Sequence, residues 1–286
     1  MRFSIDSETG VLREVLLCKP DYYEWMATSD IACESISGEK EFCRKLATEQ
    51  HAYLVETLEN AGVKCQFLDP DPYLPDLCWT RDSSQITPWG VVITRLSEPS
   101  RRRENQVLED YYHQQFQATS NLPQQLQLEG GDIHIVKPGV LILGYSQNRT
   151  AIKGAREFAR PFLKQGWKVH LEPVGERFVH LDVIFCMAAT GTALVCREAI
   201  SDELMSLLQI LEIDTVDVHL GEVDLLACNC LSLGNKRVIV AGTEYGASEK
   251  LKALGIQVFE LDMSMFTLAG GGVHCLTQPL RRDPVI

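Results

Sequence analysis

Residues 128–143, Leu-Glu-Gly-Gly-Asp-Ile-His-Ile-Val-Lys-Pro-Gly-Val-Leu-Ile-Leu, decide how this chain is read. Two apolar runs, Ile133–Val136 and Val140–Leu143, face each other across Lys-Pro-Gly, the pattern of a β-hairpin closed by a tight turn. Asp132 stands immediately ahead of the first run. Fifty residues earlier is Asp82 and fifty later Asp182, heading two similar pairs, Ser84–Thr87 with Val91–Thr94 and Val183–Met187 with Ala193–Val195. Cys230–Leu233 with Arg237–Val240 makes a fourth pair, again with a glycine in the turn. Self-similarity at such a period is the mark of a repeat architecture.

Amphipathic helix patterns run between the hairpins, end at a glycine and turn into an alternating strand. In Glu39–Ala61, the residues Phe42, Leu46, Tyr53, Leu54, Leu58 and Ala61 fall at helical spacing; Gly62 follows, then Val63, Cys65 and Phe67 at period two. The same ending recurs at Leu163 to Leu171, through Gly166, and at Leu254-Gly255-Ile256-Gln257-Val258. One unit therefore reads helix, strand, hairpin. The strands left over, Val11–Cys18 and Val273–Thr277, supply the hairpin of a fifth unit. The expectation is an α/β propeller of five blades forming one domain over residues 1–286, because a closed ring buries every hydrophobic face without a long open edge. The proline-stiffened stretch Asp69–Pro75 reads as an ordered loop.

Composition excludes several classes of function. Hydrophobic residues make up 45% and charged residues 23% of the chain, as in ordinary globular proteins. No apolar run reaches membrane-spanning length and the N-terminus lacks a signal-peptide layout, so a cytoplasmic protein without membrane contact is expected. The net charge of −12 disfavours nucleic acid and suits a small cationic substrate. Ten scattered cysteines read as reduced thiols, and none has the C-x-x-C spacing of structural zinc, so neither metal nor cofactor is expected. Self-association into a homo-oligomer stays open.

Polar groups recur at equivalent ends of the units: Trp79-Thr80-Arg81-Asp82, Leu128-Glu129-Gly130-Gly131-Asp132, Val179-His180-Leu181-Asp182 and Gly270-Gly271-Gly272-Val273-His274-Cys275. In a ring of repeats such ends share one central region. Each fragment alone has an ordinary structural reading, as an ion pair, a turn, a core histidine or a buried thiol. Together, a thiol, an imidazole and three carboxylates suit a planar guanidinium, which carboxylates hold through its N–H groups while its carbon stays open to a thiolate. The cation and a nearby imidazolium would favour Cys275 in its charged form.

These motifs resemble the guanidino-group modifying enzymes: dimethylarginine dimethylaminohydrolases, arginine deiminases, agmatine deiminases and amidinotransferases. The likeness runs from Leu12 to Arg282. In layout and length it is nearest to the dimethylarginine hydrolases, through Leu74-Pro75-Asp76, Ile93-Thr94-Arg95 to Ser100-Arg101-Arg102, and Asn229-Cys230 to Cys275. It implies the five-bladed fold, with Cys275 as nucleophile, His180 as acid and base, and Glu129 and Asp82 as carboxylates on the guanidinium. By the same resemblance Arg101 and Arg149 take the substrate α-carboxylate and Asp76 its α-amino side. Dimethylarginine hydrolases typically carry a carboxylate where Arg81 stands and a lysine where Asp182 stands; here both positions look like those of arginine deiminases and amidinotransferases. An unmethylated guanidinium is thus the preferred substrate. The expected reaction is two-step covalent hydrolysis to citrulline or an equivalent ureido product. Amidino transfer to an amine is the alternative, with dimethylarginine hydrolysis and non-catalytic arginine binding behind it.

Overall fold

A hairpin of buried strands leaves two edges unpaired, and each repeat of this chain covers one of them in the same way. The computed structural model describes residues 3–38, 40–115, 117–242 and 246–285. After β1 (Leu12–Cys18) come α1 (Asp30–Ser37), α2 (Arg44–Asn60) and β2 (Lys64–Leu68). The next three repeats follow one plan: β3 (Ser84–Thr87), β4 (Gly90–Ile93), α3 (Glu104–Gln114) and β5 (Thr119–Asn121); β6 (Ile133–Lys137), β7 (Val140–Tyr145), α4 (Ile152–Lys164) and β8 (Lys168–Pro173); β9 (Phe185–Ala189), β10 (Thr192–Val195), α5 (Asp202–Ile210) and β11 (Asp214–Asp217). A short α6 (Leu220–Val223) leads to β12 (Cys230–Gly234), β13 (Arg237–Ala241), α7 (Gly246–Ala253) and β14 (Gln257–Leu261). Then α8 (Ser264–Thr267) and β15 (Gln278–Arg282) end the series.

The strands form five three-stranded sheets, ordered β15-β1-β2, β3-β4-β5, β6-β7-β8, β9-β10-β11 and β12-β13-β14. Within each, the hairpin is antiparallel and the third strand runs parallel to the hairpin's second member. A parallel neighbour needs a crossover, and the helix supplies it. The fold is thus the expected five-bladed α/β propeller. The strand after each helix, however, joins the hairpin before it, so the blade is hairpin, helix, strand rather than helix, strand, hairpin.

Three further expectations shift. Val273–Thr277 is a turn, and the strand that closes the ring against β1 is β15, pairing Val15 with Pro279 and Leu16 with Gln278. Leu181–Val183 is a 3-10 turn, so the third hairpin starts at Phe185. Helix α2 begins at Arg44, after extended Cys43, with Glu39 outside the described residues; its buried face includes Leu54 and Leu58 while Tyr53 is 54% exposed. Each sheet packs on its own helix, as Ile133, Ile135, Leu141 and Leu143 do on Phe158 and Phe162 of α4. Burial of one such side chain contributes about 1.5–3 kcal/mol. Among the described residues no helix is long and apolar enough to cross a membrane.

Candidate active site

The segments just ahead of β3, β6, β9, β12 and β15 are tight turns or single-turn 3-10 helices, and they are stitched to one another. Gly130 N–H donates to Asp82 O at 3.0 Å, and Arg81 N–H to Cys275 O at 3.2 Å. Asp132 Oδ1 accepts Leu181 N–H at 2.8 Å, so this member of the fifty-residue series holds the loop that carries His180 and Asp182. Two glycines are fixed by contact. A Cβ on Gly131 would lie 2.6 Å from His180 Nδ1, and one on Gly272 would lie 2.5 Å from Asn229 Oδ1.

The turns line a cleft that opens to solvent. Cys275, His180, Asp82, Asp182, Arg101, Arg149 and Asp76 all line it, so seven of the residues picked from sequence meet there. Cys275 is 6% exposed. Its thiol lies 3.3 Å from Asp182 Oδ2, to which it donates, and it accepts from Asn229 Nδ2 at 3.2 Å. Burial, followed by the charges of Asp182 and Asp82, pushes this thiol well above the ordinary range. The nearby imidazolium does not outweigh them. The nucleophile candidate therefore rests as a thiol rather than as a preformed thiolate.

His180 is held by carboxylates. Its Nε2 is 2.8 Å from Glu129 Oε2 and its Nδ1 3.8 Å from Asp82 Oδ1. Burial alone would lower the imidazole, but Asp82, Asp132 and Glu129 raise it to about 10, so the ring is protonated at neutral pH. Glu129, the eighth residue picked from sequence, stands behind the ring; its Oε1 accepts Ser97 N–H at 2.8 Å and Ser97 Oγ–H at 2.6 Å. It orients the imidazolium from there. Asp182 Oδ2 accepts from His274 Nδ1 at 2.8 Å, and although burial works against the charge, this bond holds Asp182 down at about 2. Asp82 Oδ1 and Asp182 Oδ1 are buried and have no hydrogen-bond partner among the described residues.

The two arginines that line the cleft differ. Arg101 Nη1 donates to Asp82 Oδ2 at 2.9 Å, while Nε and Nη2 clasp both oxygens of Glu104 at 2.9 and 3.0 Å. Its donors are committed to protein carboxylates. Arg149 is tied to Thr28 O and lies 4.0 Å from Glu129 Oε2, with its side chain on the cleft wall. Asp76, raised by burial against the opposing charge of Arg101, lines the same cleft. Sequence reasoning did not assign Glu104, Ser97 or Asn229. Asn229 precedes β12 where other repeats carry aspartate, and that equivalence is the signal that could have marked it. Asp82, Glu129 and His180 each offer a metal-ligand atom within 4.8 Å of the others, yet those carboxylates are already engaged by His180 and Arg101.

A family model described as "N,N dimethylarginine dimethylhydrolase, eukaryotic" matches residues 21–282. YkgA of Bacillus subtilis (strain 168) is 30% identical over 96% of this chain and 94% of its own. An arginine deiminase of Rhodococcus erythropolis is 29% identical over 75% of this chain, which spans 62% of that enzyme's length. Among solved structures, the product-bound N-terminal domain of ArgZ, an arginine dihydrolase from the ornithine-ammonia cycle in cyanobacteria, superposes with a TM-score of 0.83 at 23% identity, covering 94% of this chain and 97% of that one.

Proposed function

Because the chain belongs to the N,N dimethylarginine dimethylhydrolase family and is a cysteine-dependent hydrolase of guanidino groups, we propose that its substrate is an unmethylated guanidinium, that of arginine or a close derivative. The observation that carries this reading is the pair of unpartnered buried oxygens, Asp82 Oδ1 and Asp182 Oδ1, on carboxylates whose charges bear on the Cys275 thiol. They suit a planar cation that still has N–H donors to give. Methyl groups would remove those donors and leave a buried oxygen unsatisfied, at about 1–3 kcal/mol and more for a charge.

The chemistry follows from the charges. An arriving guanidinium offsets Asp82 and Asp182, the carboxylates that oppose thiolate formation, so substrate binding itself lowers the cost of deprotonating Cys275. The thiolate, its proton lost to solvent as the cation binds, adds to the central carbon, forming a C–S bond. His180 passes its proton to the departing nitrogen as the C–N bond breaks, leaving a thiouronium. The now neutral ring takes a proton from water, hydroxide adds to the same carbon, and the C–S bond breaks as the adduct's hydroxyl proton returns to the sulfur, releasing the neutral ureido product and the Cys275 thiol. Glu129 keeps His180 turned toward the reacting centre. Asn229 supports the sulfur as its charge develops.

Measuring kcat/KM for arginine and for asymmetric dimethylarginine, on the wild type and on Asp182→Asn, tests the proposal. The wild type should prefer arginine by at least about tenfold, and Asp182→Asn should lose arginine turnover. Efficient turnover of dimethylarginine by the wild type, or unchanged arginine kinetics in the variant, would falsify it.

A further inference from the structure

A second polar cluster lies behind Asp182, and none of its members lines the cleft. Alternation along β6 sends Ile133 and Ile135 into the hydrophobic core beside α4, which turns His134 to the opposite face of the sheet. There its ring stacks on His274, with centroids 5.5 Å apart and planes within 10°. His134 Nδ1 is 3.1 Å from Glu8 Oε2, and His274 Nδ1 is 2.8 Å from Asp182 Oδ2. Each imidazole is thus anchored through Nδ1 by a carboxylate. That arrangement commits Nε2 as the ligand nitrogen and is the outer shell typical of metal-bound histidines. Cys186, on β9, brings a thiol to the same place: ligand atoms of His134, Cys186 and His274 all lie within 4.8 Å of one another. His134 Nε2 and Glu8 Oε1 are buried without a hydrogen-bond partner among the described residues.

We propose that His134, Cys186 and His274 form a buried zinc site, with Glu8 supplying an oxygen to the fourth position. Two imidazoles and a thiolate are a zinc donor set. Glu8 Oε1 stands 3.9 Å from His274 Nε2. Charge also balances. Glu8 and Asp182 are carboxylates, Arg81 acts electrostatically on both, and His134 is paired with Glu8. With both imidazoles neutral, a divalent cation that displaces the Cys186 thiol proton leaves the charges of Glu8, Asp182, the Cys186 thiolate, Arg81 and the metal summing to zero. The Cys230 thiol, hydrogen-bonded to Cys186, then donates to the thiolate.

The ligands come from the N-terminal segment, two hairpins and the turn before β15, parts of the chain that only the closed ring brings together. A metal would therefore clamp the closure. It would also keep the His274 proton on Nδ1, where it serves Asp182, the carboxylate that accepts from Cys275.

The test is zinc content, by plasma mass spectrometry, of full-length protein grown with added zinc and purified without chelator. We expect about one zinc per chain, retained in Cys275→Ser and His180→Asn, and reduced at least about tenfold in Cys186→Ala and His134→Gln. Zinc absent from the wild type overturns the site. So does zinc that survives in Cys186→Ala and His134→Gln but disappears in His180→Asn, which would place it in the substrate cleft. If the two ligand variants fail to fold, Cys275→Ser grown with cobalt decides. A near-ultraviolet thiolate-to-cobalt band supports the site, because the cleft thiol is then gone, and its absence overturns it.

Discussion

Cys275 and Arg101 show how a side chain's partners set its role. The Cys275 thiol is buried against two carboxylates, which keeps it neutral. Cys275→Ser should lower turnover by roughly 10⁴-fold or more while circular dichroism and the unfolding midpoint stay near wild type; a folded serine variant with wild-type activity would reassign the nucleophile. Arg101 is held by Asp82 and Glu104, and its removal leaves two buried carboxylates without their cation, typically about 3–5 kcal/mol. Arg101→Ala should therefore lose stability and impair arginine and agmatine alike. Arg149 lacks such a clasp. Arg149→Ala should raise KM for arginine by about 10- to 100-fold and change that for agmatine little, since agmatine has no α-carboxylate. Equal losses for both ligands in Arg149→Ala would make that arginine structural too.

At the level of elements, the blade ends matter more than the blades. The 3-10 turn Gly130–Asp132 passes so close to His180 that only glycine fits at position 131. Gly131→Ala should displace the imidazole from Glu129, cutting kcat while costing about 1–3 kcal/mol of stability; unaltered kcat would mean that ring position is unimportant to the rate. Strand β15 closes the ring on β1, and Leu280 and Gln278 are fully buried. A chain ending at Thr277 should lose cooperative unfolding in urea, because it opens the first blade and exposes the edge of β1. Both features were partly legible. The glycine run and the hairpin period stand out in the sequence, but Val273–Thr277 looks more like a strand than Gln278-Pro279-Leu280-Arg281-Arg282 does. The proline and charges of β15 disguise it, and only its pairing with β1 identifies it.

For the molecule as a whole, stability should carry the signature of its buried ion pairs. His180 is raised in the folded state from 6.5 to about 10. Its contribution is complete below the unfolded value and disappears as pH climbs through the folded one. The urea midpoint should thus fall between about pH 7 and about pH 9.5 more steeply in the wild type than in His180→Asn; parallel curves would show that the imidazolium is not paired as described. Glu8 and Asp182, both depressed to about 2, act in the opposite direction. Their contribution is present above the ordinary carboxylate range and is lost as pH falls toward 2. The sequence by itself determined the five-fold repeat, four of the hairpins, and the meeting of Cys275, His180, Asp82 and Asp182 at equivalent blade ends. Alternation, helical spacing and turn glycines act over a few residues and can be read there. Only the tertiary structure decided that Arg101 belongs to Glu104 and Asp82, that Glu129 stands behind His180, and that Glu8, His134, Cys186 and His274 form one cluster. Those partnerships join segments up to hundreds of residues apart, or choose among several nearby carboxylates, and packing around the closed ring makes that choice.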